Sequence, residues 1–296
     1  MGILPQLLMN ALIAGSIYAL ASAGLSLTFG LLRVLNFAHG HMLMVGAYLF
    51  YLASEEMGLG IMASAMFTSV AAVGISLVCF SVFVLPFTRY SLLLTLVTTL
   101  ALSNILEALV SMSFGVNVKS LSAGSGAQSI EIGGVYVTPL QIGIICSAIV
   151  LLGGLAWVIH RSPFGRRVRA LSENGPAAEA LGISKRDTSY FVFSLSTLFA
   201  AIAGVLIGYE TNMQPTMGSS YTIKAFAAMI LGGLGNVWGT VAGGYILGLV
   251  ENLSIGLDFG GYNIPAGYKD AFAFLIILLV LLVKPDGIFN KAKRKA

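Results

Sequence analysis

The sequence contains few charged residues, and this scarcity excludes the ordinary soluble proteins. Charged residues make up 9% of the 296 residues, and hydrophobic residues make up 57%. A soluble domain carries about 25% charged residues. Because no segment is long and polar enough to fold as a second domain, we expect one membrane domain over residues 1–296.

Motifs of enzymes and nucleotide-binding proteins are also missing. The chain has no G-x-x-x-x-G-K-[ST] phosphate loop, so it cannot hold ATP in the usual way. It has no Ser/His/Asp set and no pair of catalytic acids at plausible spacing. His39 and His41 lack the further Cys, His or acidic neighbours that a metal site requires. We therefore expect no catalytic residue, no metal and no cofactor bound by this chain.

Cysteine and N-terminal charge are scarce as well. Cys79 and Cys146 lie in apolar runs, so we expect both to be packing residues. No basic residue precedes Arg33, whereas a signal peptide needs a basic start, so residues 5–30 are expected to be a retained first span. The net charge of +4 comes from basic residues that lie beside apolar runs. Membrane topology and contact with anionic lipid explain this positive charge better than binding to nucleic acid does.

What the sequence has in abundance is long apolar runs, each near the roughly 20 residues that a membrane-spanning helix needs. They are 5–30, 37–53, 61–85, 91–113, 140–160, 188–209, 223–253 and 269–284. This pattern predicts an all-α polytopic helical bundle with about eight membrane segments.

Two basic clusters fix the expected orientation. One lies within 161–187 and the other is at the C-terminus, and positive charge beside spans stays on the cytoplasmic side. An even number of crossings must therefore join them, so 223–253 has to start and finish outside, as a re-entrant hairpin or two short spans. Its middle contains the residues expected to break the helix: Gly232, Gly233, Gly235 and Asn236.

The same topology makes the polar segment 114–139 an extracytoplasmic cap. Two short apolar stretches around Gly133-Gly134 predict a small β-hairpin inside it. Of the sixteen basic residues, only Lys119, Lys224 and Lys269 fall outside in this arrangement.

Polar residues inside the apolar runs are the candidates for a translocation pathway. Asn36 and His39 sit at an expected helix break, where they line the pathway or, alternatively, satisfy the backbone of the following helix. A polar face along 95–107 either lines a path or holds helices together. The candidates are Asn36, His39, Thr99, Ser103, Asn104, Glu107 and Asn236. Glu251 is a further acid within an apolar run.

The loop at 161–187 contains a short predicted helix. Asn174 or Gly175 can cap it, Pro176 suits its first position, and Gly182 is placed to end it. Periodicity alone also fits an amphipathic loop resting on the bilayer.

Several motifs resemble the branched-chain amino acid permease family of bacterial ABC importers, of the LivH/LivM type. The stretches that carry the resemblance are GLLRVLNFAHG (30–40), ENGPAAEALGI within the basic loop, AFAAMILGGLGNVWGTVAGG (225–244) and KPDGI (284–288). They span nearly the whole chain, and the match is closer to the LivH-type half.

The resemblance implies a multi-pass permease of the bacterial inner membrane with a cytoplasmic C-terminus. It implies as partners two ATPase subunits that hold ATP and Mg, a second permease that is a LivM-like paralogue or the same chain, and a periplasmic solute-binding protein. The implied substrates are branched-chain or related amino acids, urea or short amides. The implied coupling residues are Glu173, Ala177, Ala178, Glu179 and Gly182. The alternative is an energy-independent channel for small polar solutes, in which the basic loop only anchors the protein.

Overall fold

The structure is a computed structural model and describes residues 3–88, 90–121, 128–256 and 268–289. The α-helices in these ranges are α1 (Leu4–Leu32), α2 (His39–Tyr51), α3 (Ile61–Cys79), α4 (Leu85–Thr88), α5 (Leu92–Phe114), α6 (Pro139–Arg161), α7 (Pro163–Glu173), α8 (Gly175–Ala180), α9 (Lys185–Glu210), α10 (Met217–Gly232), α11 (Val237–Gly256) and α12 (Lys269–Val283). Two π-helical segments, Leu52–Glu56 and Phe80–Val84, continue α2 and join α3 to α4.

The all-α membrane bundle is confirmed. Among the described residues, five helical stretches are long and apolar enough to cross a membrane, and α10 with α11 forms a further apolar pair bent by 117°. The five stretches are Leu4–Leu32, Ile61–Thr88, Leu92–Phe114, Pro139–Arg161 and Lys185–Glu210. Helices α2 and α12 have 13 and 15 residues, so the structure does not establish the expected count of about eight segments. Cys79 is buried as expected, whereas Cys146 is exposed on α6.

Helix α1 is the centre of the bundle, and small residues let other helices approach its backbone. In its most apolar stretch 83% of the residues are buried. A Cβ atom on Gly244 of α11 would lie 2.6 Å from the Ala19 nitrogen, and one on Gly248 would lie 2.5 Å from the Gly15 nitrogen. Backbones this close leave no room for side chains, so these glycines allow α11 to pack directly against α1.

The predicted break in 223–253 lies between α10 and α11. The chain turns through residues 233–236, where Gly233 (φ 104°) and Gly235 (φ 81°) adopt backbone conformations that favour glycine. A Cβ on Gly232 would clash with the Gly239 carbonyl, so both positions beside the turn need a small residue. The two helices therefore form the broken segment that the glycines predicted.

The bundle has two ends that carry different structures. The hairpin end carries strands β1 (Ile130–Ile132) and β2 (Val135–Val137), which pair antiparallel through a two-residue turn with positive φ at Gly133 and Gly134. This confirms the predicted hairpin, and Gln6 of α1 holds it through hydrogen bonds with both backbone groups of Tyr136. The basic end carries α7, α8, the α10–α11 turn and residues 284–289.

Candidate functional site

The predicted short helix is present at the basic end as α8. The Asn174 side chain accepts a hydrogen bond from the Ala177 N–H at 3.1 Å and caps the helix. Pro176 lies in the first turn. Gly182 has φ +84° just after the helix, where an L-residue with a side chain would be strained.

Most of the expected coupling residues lie on the outer surface, either on α8 or directly beside it. Glu173, Ala177, Glu179 and Gly182 are exposed, whereas Ala178 is buried against the protein itself. Leu181, directly after α8, is 84% exposed.

Helix α7 precedes α8 and was not predicted. The Ser162 hydroxyl accepts from the Gly165 N–H at 3.0 Å, and Pro163 occupies the first turn. Val168 and Leu171 face the bundle. The Ser-Pro pair followed by alternating arginines and apolar residues was the available signal, because serine and proline favour the first positions of a helix.

Helix α5 divides the predicted polar face into two. Thr99 and Ser103 are buried, and their hydroxyls donate to the carbonyls of Leu96 and Leu100 within the same helix. Asn104 is exposed on the outer surface of the helix. The predicted polar face therefore belongs partly to the interior of the protomer and partly to its outer surface.

Glu107 lies between these two sides of α5 and pairs with a histidine. Its Oε2 is 3.2 Å from Nε2 of the buried His41, while 30% of the glutamate side chain is exposed. The pair joins α5 to α2. The sequence analysis examined His41 only as a possible metal ligand and did not predict this pair. Among the described residues, no three His, Cys, Asp or Glu side chains come close enough to share a metal ion.

Asn36 and His39 are buried within the protomer. The Asn36 side chain accepts from the Ala38 N–H at 3.1 Å, and the His39 Nε2 lies 2.7 Å from the Ala21 carbonyl oxygen. The geometry matches the alternative in which both side chains satisfy backbone groups. Neither side chain reaches the outer surface of the protomer.

Asn236 closes the α10–α11 turn and ties the C-terminal segment to it. Its Oδ1 accepts from the Gly239 N–H, and its Nδ2 donates to the Phe289 carbonyl, both at 3.1 Å. The Ile288 N–H also donates to the Leu231 carbonyl at 2.9 Å. Two of the motifs noted in the sequence, the glycine-rich turn and residues 284–288, are therefore in direct contact.

An ion pair that the sequence did not predict joins α10 to α11 beside α1. Lys224 Nζ lies 2.9 Å from Glu251 Oε1, and Tyr18 donates its hydroxyl proton to Glu251 Oε2 at 2.7 Å. Lys224 also donates to the Tyr18 hydroxyl at 3.1 Å. Lys224, which the sequence topology assigned to the extracytoplasmic side, is part of α10, and its ammonium group has a partner within the bundle.

Comparison with known proteins gives matches over almost the full length. The family profile described as "Branched-chain amino acid transport system / permease component" matches residues 7–281. The chain is 30% identical to the high-affinity branched-chain amino acid transport system permease protein BraD of Pseudomonas aeruginosa, over 97% of this chain and 95% of that protein. The same figures hold for LivH of Escherichia coli K12. The probable LivH of Methanocaldococcus jannaschii is 28% identical over 98% of this chain and 95% of its own length.

Proposed function

The chain belongs to the branched-chain amino acid transport permease family, as its motifs indicated, and we propose that it is the membrane subunit of an ABC importer. It is a multi-pass membrane transporter subunit and not an enzyme. In the proposal, ATP and Mg are held by two separate ATPase subunits, and a periplasmic binding protein delivers the substrate. Branched-chain or related amino acids are the proposed cargo, since the relatives' names specify them.

The basic end is cytoplasmic in this proposal. Six basic residues lie between 161 and 187, and positive charge next to spans remains inside. The hairpin end, with β1 and β2, then faces the periplasm and is the surface offered to the binding protein. The C-terminal segment lies at the basic end, so the C-terminus is cytoplasmic as well.

The exposure of Leu181 is the observation that supports coupling most directly. The side chain stands at the tip of α8, where water offers it no favourable contact. Beside it runs a groove of about 620 Å³ lined by Leu32, Leu85, Glu179 and Arg186 among others. An ATPase that receives Leu181 in a pocket could move α8, and α8 is linked through the next residues to α9.

The pathway is proposed to run along the outer side of α5, between this chain and the second permease. Asn104 is exposed there among apolar residues, and Glu107 is partly exposed one turn away. Polar and ionisable side chains at membrane depth face a protein partner or a water-filled cavity, since contact with lipid is costly. Thr99 and Ser103 support this face from within the protomer.

The test uses cells that express the full transporter with this chain carrying Leu181→Asp or the conservative control Leu181→Met. Losing a central apolar contact costs about 2 kcal/mol or more, roughly a 30-fold weaker interface. We expect Leu181→Asp to abolish copurification of the ATPase subunits and uptake of labelled leucine at normal membrane levels, while Leu181→Met retains both. Uptake that survives Leu181→Asp and depletion of ATP would instead establish the energy-independent channel.

A further inference from the structure

A cavity of about 330 Å³ opens at the basic end, beside the turn between α10 and α11. Its walls come from the C-terminal ends of α1 and α6, from α7 and from the first turn of α11. The lining residues are Ser26, Leu27, Gly30, Arg33, Ile159, His160, Val168, Arg169, Ser172, Leu234, Gly235, Asn236, Val237 and Trp238. The rings of His160 and Trp238 stack with centroids 6.1 Å apart and form one wall.

The cavity contains positive charge without matching negative charge. Arg33 and Arg169 line it, and its lining includes no aspartate or glutamate. The ion pairs found in the described part of the chain are His41–Glu107 and Lys224–Glu251, so neither arginine is paired there. The Arg169 guanidinium donates to the Ile159 carbonyl, and an arginine has five N–H donors, so others are left for a ligand.

Arg33 has a left-handed backbone conformation at the edge of the cavity. Its φ is 56°, and it is the one residue other than glycine with positive φ in the described ranges. Arg33 ends α1, and its N–H donates to the Phe29 carbonyl in the left-handed conformation that commonly terminates helices. This helix end places the Arg33 side chain among the residues that line the cavity.

Ser26 supplies an independent sign that a ligand is expected. The residue is 0% exposed, it lines the cavity, and its hydroxyl has no hydrogen-bond partner among the described residues. The other hydroxyls of α1 behave differently, since Ser16, Ser22 and Thr28 each donate to the carbonyl four residues earlier. A buried hydroxyl without a partner is costly unless something bonds to it.

The start of α11 adds backbone donors to the same cavity. Asn236 accepts from the Gly239 N–H, whereas the N–H groups of Val237 and Trp238 lie in the first turn, where helices provide no internal acceptor. A helix N-terminus also carries partial positive charge that favours an anion. Arginine side chains, a hydroxyl and helix N–H groups together make the donor set that a phosphate group requires.

We propose that this cavity binds a phosphate group, carried by an anionic phospholipid headgroup or by a free phosphate ion. Arg33 and Arg169 neutralise the charge, and Ser26 with the first turn of α11 bonds the oxygens. Such a ligand would brace the α10–α11 turn against α1 and α6. The proposal does not depend on the transported substrate or on coupling through α8.

The experiment measures thermal stability of the full chain, purified in mild detergent with its copurifying subunits. Two probes are added separately: inorganic phosphate against chloride at equal ionic strength, and phosphatidylglycerol against phosphatidylcholine. Ligands that bind the folded state raise Tm, and the stabilisation grows with the logarithm of one plus the ratio of ligand concentration to Kd. We expect phosphatidylglycerol, inorganic phosphate or both to raise Tm, and the responding probe identifies the source of the phosphate.

Variants then locate the binding site. Arg33→Gln removes a charged donor and should weaken binding about tenfold, and Ser26→Ala should weaken it severalfold. Arg166→Gln and Arg167→Gln make the same charge change at exposed positions of α7 that do not line the cavity, and both should bind as the parent does. The proposal is overturned if neither probe raises Tm, or if the α7 variants lose as much binding as Arg33→Gln.

Discussion

Replacing Lys224 by methionine removes the ammonium group that faces Glu251 inside the bundle. The two groups are 2.9 Å apart, and the side chains of Glu251 and Lys224 are 1% and 13% exposed. Removing one partner of a buried pair costs about 3–5 kcal/mol, because the remaining charge stays buried without its compensating charge. Tyr18 still donates to Glu251 in the variant, so we expect the lower end of the range, about 3 kcal/mol.

The double variant Lys224→Met/Glu251→Leu separates charge pairing from simple packing. It removes both charges, and replacing a buried pair by apolar residues is often neutral or stabilising. The double variant also leaves the Tyr18 hydroxyl without these two partners, so we expect it to lose about 1–3 kcal/mol of unfolding free energy. Each single variant should lose about 3 kcal/mol, so the effects are non-additive by at least about 3 kcal/mol.

The assay is denaturant unfolding of the purified full chain in mild detergent. Lys119→Met is the matched control, because it makes the same substitution and removes the same charge at a lysine that contacts an aromatic ring. The Lys119 ammonium group lies 4.5 Å from the centroid of the Tyr51 ring. A cation–π contact at a partly exposed site contributes about 0.5–1 kcal/mol, so this variant should remain close to the parent. Additive single effects, or a Lys224→Met variant as stable as Lys119→Met, would refute the reasoning.

Two further predictions concern helix packing and the turn. Gly244→Ala places a Cβ 2.6 Å from the Ala19 nitrogen and should lower the free energy of unfolding by about 1–3 kcal/mol. The control Gly154→Ala has nothing within 4 Å of its Cβ and should be neutral or slightly stabilising. Equal Tm values for the two variants would contradict the close packing of α1 and α11. Asn236→Asp keeps the acceptor for the Gly239 N–H but loses the donor to the Phe289 carbonyl, so limited proteolysis should cut residues 284–289 faster than in the parent. Asn236→Ala loses both hydrogen bonds and should also lower the free energy of unfolding by about 1–2 kcal/mol. Unchanged cleavage in both variants would count against the contact between Asn236 and residues 284–289.

The sequence predicts the helices of this fold well because the membrane imposes a simple rule. A span must be apolar and long, so runs such as 91–113 and 140–160 correspond closely to α5 and α6. Turn chemistry is equally local, and Gly133-Gly134 was enough to predict the hairpin. Helix α8 was recognisable from its capping residues for the same reason.

The site is less predictable, because its residues meet through packing between distant helices. Lys224 and Glu251 are 27 positions apart, on two helices whose axes are bent by 117° relative to each other. No local sequence pattern specifies that angle. The apolar run 91–113 likewise predicted α5, but the sequence did not indicate which of its polar residues face the interior of the protomer. For Asn36 and His39 the sequence left a pathway role and hydrogen bonds to the backbone as alternatives, and only the three-dimensional structure shows which backbone groups they contact.

The contact between residues 284–289 and the α10–α11 turn imposes an order on biosynthesis. Leu231 and Asn236 leave the ribosome 57 and 53 residues before their partners Ile288 and Phe289. During that interval the turn has neither hydrogen bond, and α12 must be made before the segment can reach it. The contact that braces the turn of the broken helix pair can therefore form only after α12 has been translated.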